Sequence, residues 1–434
     1  MNFVNKIFRG EMTIWIIFMF ICLISIIEVF SATSTLTYKQ GYLYPMMRHA
    51  CFLLAGTGAV LMIHACKPRF LSSIGLLLPV AWVLLFILLI CDKLDWGFIK
   101  IISENRASRW IEILGIRFQP SEIAKLSLVT LTAFLLSKFT GENTRILKWI
   151  LVLTGVTCAL IIKENGSTAI LLALVIYFML LIGRIPKKYK LWVTVALVSS
   201  AAVCYAFIRY TPSDILRAKP ISIVLPRAAL WQERILAEKP DVRDPNFKID
   251  DDNYQVSHAN IAIARGGVVR ILPGSSVERD FLPQAYSDFI YAIIIEETGL
   301  LLGGFFVLFL YIALFIRAGI IANRCERFFP KYLVMGSALI LVSQALANMA
   351  VAVNLIPVTG QPLPLISRGG TSTIINCIYI GIILSVSRFG NPKGIARDEE
   401  IAAENANAEV EKLLNEDLNI EAPEETEKTE IYES

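Results

Sequence analysis

The chain has 434 residues, 55% of them hydrophobic, with a mean hydropathy of +0.60 and a formal net charge of +4. That apolar content places it among polytopic membrane proteins and excludes an ordinary soluble domain. Eight cysteines without a CxxC pair, three histidines (His49, His64, His258) without ligand spacing, and no Walker or dinucleotide motif exclude a disulfide framework, a zinc site and nucleotide hydrolysis.

Apolar runs long enough to span a bilayer occur near 12–32, 46–66, 70–92, 120–138, 146–163, 167–183, 191–209, 286–316, 332–353 and 370–389. The expected architecture is therefore an all-α polytopic membrane protein of ten transmembrane helices. The first run is too long for a signal-peptide core and lacks a small-residue cleavage site, so it reads as a retained helix. Short loops carrying Lys67/Arg69, Lys138/Arg145/Lys148, Arg184/Lys187/Lys188/Lys190, Arg317/Arg324/Arg327/Lys331 and Arg388/Lys393/Arg397 read as cytoplasmic. Both termini then face the cytoplasm, and segments 93–119, 210–285 and 354–369 face outward. Residues 1–11 form an N-terminal segment, 12–390 the membrane domain with its large outer loop at 210–285, and 391–434 a tail. From Asp398 onward 14 acidic residues stand against 2 basic ones. Such a tail is expected to be disordered.

In the first outer segment, Arg109-Trp110 leads to Gln119-Pro120-Ser121-Glu122 and Lys125. Pro120 suits the first turn of a helix, and Glu122 and Lys125, three apart, share one face. Two readings stay open there. The pair shields itself at the interface, or Arg109 and Lys125 form the cationic half of an anion site. Lys163–Thr168 reads as a tight outer turn, with solvated punctuation an equal alternative to a functional role. In the largest loop, 226–235 has the spacing of a surface helix, and 253–264, with Gln255, that of a second one ending at Arg265-Gly266-Gly267.

The stretch 281–299, FLPQAYSDFIYAIIIEETG, organises the rest. A helix from Tyr286 to Ile316 would be about 45 Å long, more than a bilayer's roughly 30 Å core, lifting Asp288 above the membrane and leaving Glu296 and Glu297 near the interface. On spacing alone, Asp288 is either a head-group-facing carboxylate or a helix cap. The last outer segment, 354–372, holds three prolines and three glycines around Pro357, Thr359, Gly360, Ser367, Gly369 and Gly370. Irregular backbone at that depth must line a polar cavity or pack within protein. Gln344 and Asn348, one turn apart on the preceding helix, point the same way.

Three motif groups, Gln119-Pro120-Ser121-Glu122 with Lys125, Asp288-Phe289-Ile290 with Glu296-Glu297, and Pro357-Val358-Thr359-Gly360 with Leu363–Ser367 and Gly369-Gly370, resemble the SEDS family of FtsW, RodA and SpoVE proteins. The resemblance runs from the first helix to about Arg388, and the 253–299 region is most similar to the FtsW branch of Bacteroidetes-type bacteria. It implies a peptidoglycan glycosyltransferase of the inner membrane that polymerises lipid II outside the membrane during cell division. It also implies Asp288 as general base, with Gln119, Ser121, Glu122, Gln255, Ser367, Gly369 and Gly370 near substrate beside Arg109 and Lys125. Glu296, Glu297, Gln344, Asn348, Pro357, Thr359 and Gly360 would support them. Its implied partners are lipid II, an undecaprenyl-pyrophosphate-linked glycan, a class B penicillin-binding protein and other divisome proteins, with no nucleic acid. No fixed cofactor is implied, a divalent cation (Mg or Mn) being the one candidate. Gly299, Gly303 and Gly304 are expected to admit the partner's helix. The residues depart from the family at Arg106, Ser108, Asn165 and Arg368. A lipid II flippase and an elongation-type polymerase are the alternatives; a flippase requires matching polar groups on the inner face, whereas the distinctive motifs lie outside.

Overall fold

The computed structural model describes residues 8–32, 43–90, 99–104, 107–113, 116–140, 144–218, 228–236, 249–250, 253–283 and 285–390. It divides into one unit over Met1–Gly390 and a second over Asn391–Ser434. The acidic tail, most of 241–252 and Arg106 lie outside the described residues.

Helices α1 (Met12–Ala32), α2 (Leu43–Ala65) and α3 (Pro68–Ile90, with a 3-10 stretch at Ser72–Leu77) open the bundle. Helices α4 (Pro120–Ser137), α5 (Thr144–Ile162), α6 (Gly166–Ile182) and α7 (Lys187–Tyr210) continue it. A short α8 (Ser213–Arg217), then α9 (Ala228–Leu236) and α10 (Tyr254–Gly266), belong to the large loop. The bundle closes with α11 (Ile290–Gly299), α12 (Phe306–Arg324), α13 (Phe328–Ala352) and α14 (Thr371–Phe389).

Eight of the described helical stretches are long and apolar enough to cross a membrane, α11 and α12 counting together as Ile290–Arg324. This is a multi-pass membrane protein. The ten expected spans are reached only by adding α6, which is short, and α4, whose 18 residues carry Glu122 and Lys125. Large apolar side chains such as Ile16, Phe86, Leu191 and Phe309 face outward, as suits a surface solvated by lipid.

The centre is α13. It packs against α4, α6, α12 and α14, and its polar Gln344 and Asn348 are buried. Helix α14 in turn lies along α2, where Gly381 lets the backbones approach: a Cβ there would stand 2.9 Å from the Ile63 Cβ.

The first outer segment folds as an antiparallel sheet in the order β1 (Ile99–Glu104), β2 (Ala107–Ile113), β3 (Ile116–Phe118). Thr371 Oγ1 donates to the Arg117 carbonyl on β3 at 3.0 Å, so the sheet and the 354–370 segment share one end of the bundle.

The expected continuous helix from Tyr286 to Ile316 is not formed. Its first turn begins at Ile290 after the non-helical Phe289, so Asp288 precedes the helix. At Gly299 (φ +81) the chain enters a π-type stretch, Leu300–Phe305. Only glycine fits there, because φ is positive and a Cβ would crowd the Val268–Arg270 backbone at 2.7–2.9 Å. Gly303 and Gly304 are buried within the chain, a Gly303 Cβ meeting the Ile294 carbonyl at 2.9 Å, so they present no open helix face.

Candidate functional site

The Asp288 segment is held by its backbone. Three successive carbonyls accept hydrogen bonds from distant elements: Tyr286 from the Arg368 N–H (3.1 Å), Ser287 from Ser367 Oγ (2.7 Å) and Asp288 from Asn348 Nδ2 (2.8 Å). These bonds hold residues 286–288 in a turn conformation against α13 and the 354–370 segment, and α11 starts only after them. The Asp288 side chain is half-buried, and Ser287 Oγ donates to its Oδ1 at 3.0 Å. Gly360 (φ +65) passes beside the carboxylate, a Cβ there lying 3.5 Å from Asp288 Oδ2.

The 354–370 segment that makes these contacts is itself laced down. Gln344 Nε2 donates to the Pro362 carbonyl (3.1 Å) and Asn348 Nδ2 to that of Gln361 (2.7 Å). Gln361 Nε2 reaches Thr168 Oγ1 (2.7 Å), Tyr311 Oη donates to the Pro364 carbonyl, and Ser25 Oγ to that of Ile366 (2.9 Å). Ser367 Oγ also accepts the Leu363 N–H at 2.8 Å. Leu365 holds φ +67, an unfavourable conformation for a leucine that this surrounding network over-determines. Gly370 (φ +56) ends the segment at α14, and Gly369 packs on Ser372. Thr359 Oγ1 is buried without a hydrogen-bond partner among the described residues, while Pro357 stands exposed.

The cationic side differs from a pair of outward hooks. Lys125 is 1% exposed; its Nζ lies 2.7 Å from Glu122 Oε1 and donates to Gln344 Oε1 at 3.2 Å. Of the two readings open for this pair, the self-shielding one describes this geometry. Through Gln344 and Asn348, one turn apart on α13, Lys125 connects to the Asp288 backbone. Arg109, half-buried on β2, donates from Nε to the Glu164 carbonyl at 3.0 Å.

Glu164 is the residue that sequence reasoning missed. The turn between α5 and α6 is not solvated punctuation: Glu164 is buried, and its Oε1 accepts from Gln119 Nε2 (2.8 Å) and Ser121 Oγ (3.2 Å). Burial pushes its carboxyl up to about 7, against the pull of Gln119, Arg109 and Ser121, with the Glu122 charge pushing the same way as burial. Among the described residues its Oε2 has no hydrogen-bond partner, nor has Glu122 Oε2. Asn165 caps α6 through the Ser167 N–H (3.1 Å). The available signal was the departure at Asn165, with a carboxylate one position earlier.

Glu296 and Glu297 are buried within the protein, 1% and 0% exposed. Glu296 accepts from Val277 N (3.0 Å), Glu278 N and Ser276 Oγ. Glu297 accepts from Gly274 N (2.8 Å), Ser276 N and Ser31 Oγ. They anchor the turn that returns the chain to Asp288. Helix α10 joins the same turn, its His258 stacked on Phe281 at 5.4 Å and bonded through Nδ1 to Glu278 (2.6 Å). Gln255, on α10, is half-buried and makes no hydrogen bond to a described residue.

Among the described residues, no three His, Cys, Asp or Glu side chains gather as a metal site. A Mg²⁺-type ion needs only one or two carboxylates when phosphate oxygens complete its shell. Asp288 fits that lesser requirement.

Comparison with known proteins gives one consistent result. The family model described as cell cycle protein, FtsW/RodA/SpoVE, matches residues 11–391. A probable peptidoglycan glycosyltransferase FtsW of Geobacter sulfurreducens is 27% identical over 392 residues, 88% of this chain and 96% of its own. The protein of the same description from Saccharophagus degradans is 31% identical, covering 72% and 75%. Among solved structures, the Thermus thermophilus rod shape determining protein RodA superposes with a TM-score of 0.60 at 18% identity, over 88% of this chain and 98% of that one. A chain from a peptidoglycan synthase complex that coordinates polymerization and crosslinking gives 0.64 at 20%, with the same coverage.

Proposed function

This chain belongs to the FtsW/RodA/SpoVE family of cell cycle proteins, and from that premise we propose that it is a peptidoglycan glycosyltransferase of the FtsW kind, acting at the outer face of the cytoplasmic membrane. The observation that carries the reading is the Asp288 carboxylate, half-exposed on a backbone fixed at three successive carbonyls. A base held so firmly spends no energy on orientation when the acceptor arrives.

The substrates are a glycan on polyprenyl diphosphate as donor and lipid II as acceptor. Asp288 takes the proton from the acceptor's sugar 4-hydroxyl. The oxygen attacks the donor's anomeric carbon, and the carbon–oxygen bond to diphosphate breaks with its electron pair leaving on diphosphate. Displacement from the opposite face inverts the anomeric centre, and diphosphate departs without a protonating acid. Arg109 offers positive charge from β2. Lys125, sealed with Glu122, acts as a positioning residue through Gln344. If a divalent ion enters with the diphosphate, Asp288 is its protein ligand, and the ion would supply charge neutralisation there.

A class B penicillin-binding protein fits as the crosslinking partner. The likeness to a synthase-complex chain supports a shared fold, and the pairing itself rests on the family. The same reading puts both termini in the cytoplasm.

The test is polymerisation of labelled lipid II by purified protein with its partner. Asp288→Asn should cut the rate by about 10² to 10⁴ while leaving the protein folded and partner-bound. Near-wild-type polymerisation by that variant would refute the base assignment, and a wild type that moves lipid II across vesicles without polymerising it would refute the enzyme.

A further inference from the structure

We propose that Arg368 is the guanidinium that grips the diphosphate of the lipid-linked substrate; this rests on the glycosyltransferase reading and deepens it. The sequence marks the position as a departure. The structure gives the departure a place. Arg368 donates its N–H to the Tyr286 carbonyl at 3.1 Å, so it is bonded to the segment that carries Asp288 two residues later. Its guanidinium lies 5.4 Å from the Tyr286 ring centroid, a cation–π arrangement that holds the plane of the fork.

The loop behind it cannot drift. Ser25 fixes the Ile366 carbonyl, and Ser367 is bonded on both sides, to Leu363 N and the Ser287 carbonyl. Beyond it come Gly369 and Gly370, which lead into α14. The side chain of Arg368 is half-exposed, so a ligand has access to it.

Two further arginines border this turn. Arg48 sits 6.0 Å over the Phe52 ring, and that ring lies 4.0 Å from where a Gly370 Cβ would be. Arg117, whose carbonyl accepts from Thr371, is offset by its ion pair with Glu112 at 2.7 Å. Lys125, by contrast, is sealed. Arg368 is the cation bonded directly to the segment that carries Asp288. A guanidinium presents two parallel N–H donors to two phosphate oxygens, which an ammonium does not. The arrangement suits a diphosphate beside the reacting carboxylate.

The experiment uses the full chain with its partner in nanodiscs and measures binding of undecaprenyl diphosphate, undecaprenyl monophosphate and inorganic pyrophosphate, alongside lipid II polymerisation. Arg368→Gln should weaken undecaprenyl diphosphate by about tenfold and raise KM for lipid II, with monophosphate binding changed much less. Arg368→Lys should fall between, keeping charge and losing the fork. Inorganic pyrophosphate competing as well as the lipid would assign the site to free diphosphate and overturn the lipid-linked assignment. Equal loss for monophosphate and diphosphate, or a fall in kcat at unchanged KM and Kd, would assign Arg368 to packing and overturn the proposal. Unchanged binding in both variants of a polymerising enzyme would overturn it too. A wild type without polymerising activity would instead defeat the reading beneath it.

Discussion

Lys125→Met separates a structural ion pair from a phosphate hook. The substitution keeps volume, so it opens no cavity, but it removes the counter-charge 2.7 Å from Glu122, which is 5% exposed and whose Oε2 has no hydrogen-bond partner among the described residues. Breaking one partner of a buried pair costs about 3–5 kcal/mol, and the stranded Gln344 acceptor adds about 1 kcal/mol. A loss of roughly 4–6 kcal/mol is a large share of ordinary stability. Adding Glu122→Gln removes the stranded charge, and neutral replacement of a whole buried pair is often tolerated. The double variant should therefore regain most of what the single one loses. The assay is thermal unfolding in detergent, read by the monodisperse fraction on size exclusion, for wild type, each single variant and the double. Polymerisation by the double variant is measured beside it. Equal stability of Lys125→Met and wild type would sink the argument, as would a double variant no better than the single. A stable but inactive double variant would return Lys125 to the substrate.

Glu164→Gln should change the pH dependence of stability. The folded carboxyl titrates near 7, above its ordinary 4.5, so the folded state holds the proton more tightly than the unfolded one. Stability is then fullest below about pH 4.5 and falls on the order of 3 kcal/mol by pH 7, staying low above it. The glutamine keeps the acceptor for Gln119 and Ser121, removes the fall and raises the melting temperature above pH 7; parallel profiles for both proteins would contradict the assignment. Gly266→Ala should separate α10 from α11, since a Cβ there meets the Ile295 backbone carbonyl, an atom unable to swing away. It should cost about 1–3 kcal/mol and increase amide exchange at 254–266; unaltered exchange would argue against this packing.

Most of the helices were legible because lipid demands long apolar runs, and these chain segments supply them. The sheet was legible too but went unread: Ile99/Ile101, Ile111/Ile113 and Ile116/Phe118 alternate at the strand period. What could not be read lies in long-range hydrogen bonds. Nothing near Asp288 stops a helix; Asn348, Ser367 and Arg368, 60 to 82 positions on, capture the carbonyls. Glu296 and Glu297 look interfacial by spacing, and their burial depends on N–H groups at 274–278, presented by a turn whose shape local sequence does not dictate. Glu164 escaped for the same reason, its partners lying 43 and 45 residues before it.

The surplus length of the 286–316 stretch has a different use from the one its length suggests. Its first half receives the outer loop as a backbone ladder. Leu300 N bonds to the Gly267 carbonyl (3.0 Å) and Leu301 N to that of Val268 (2.9 Å), while Arg270 N and Leu272 N bond back to Thr298 and Glu297 (3.3 and 3.0 Å). The π-type stretch at Leu300–Phe305 and the positive φ of Gly299 are what free those backbone groups from ordinary helical pairing. Glu296 and Glu297 then accept from the next turn of the loop. The 282–289 segment is thus fixed at both ends, by this ladder and by the carbonyl captures from α13 and the 354–370 segment. A carboxylate between two such anchors moves only if one of them lets go.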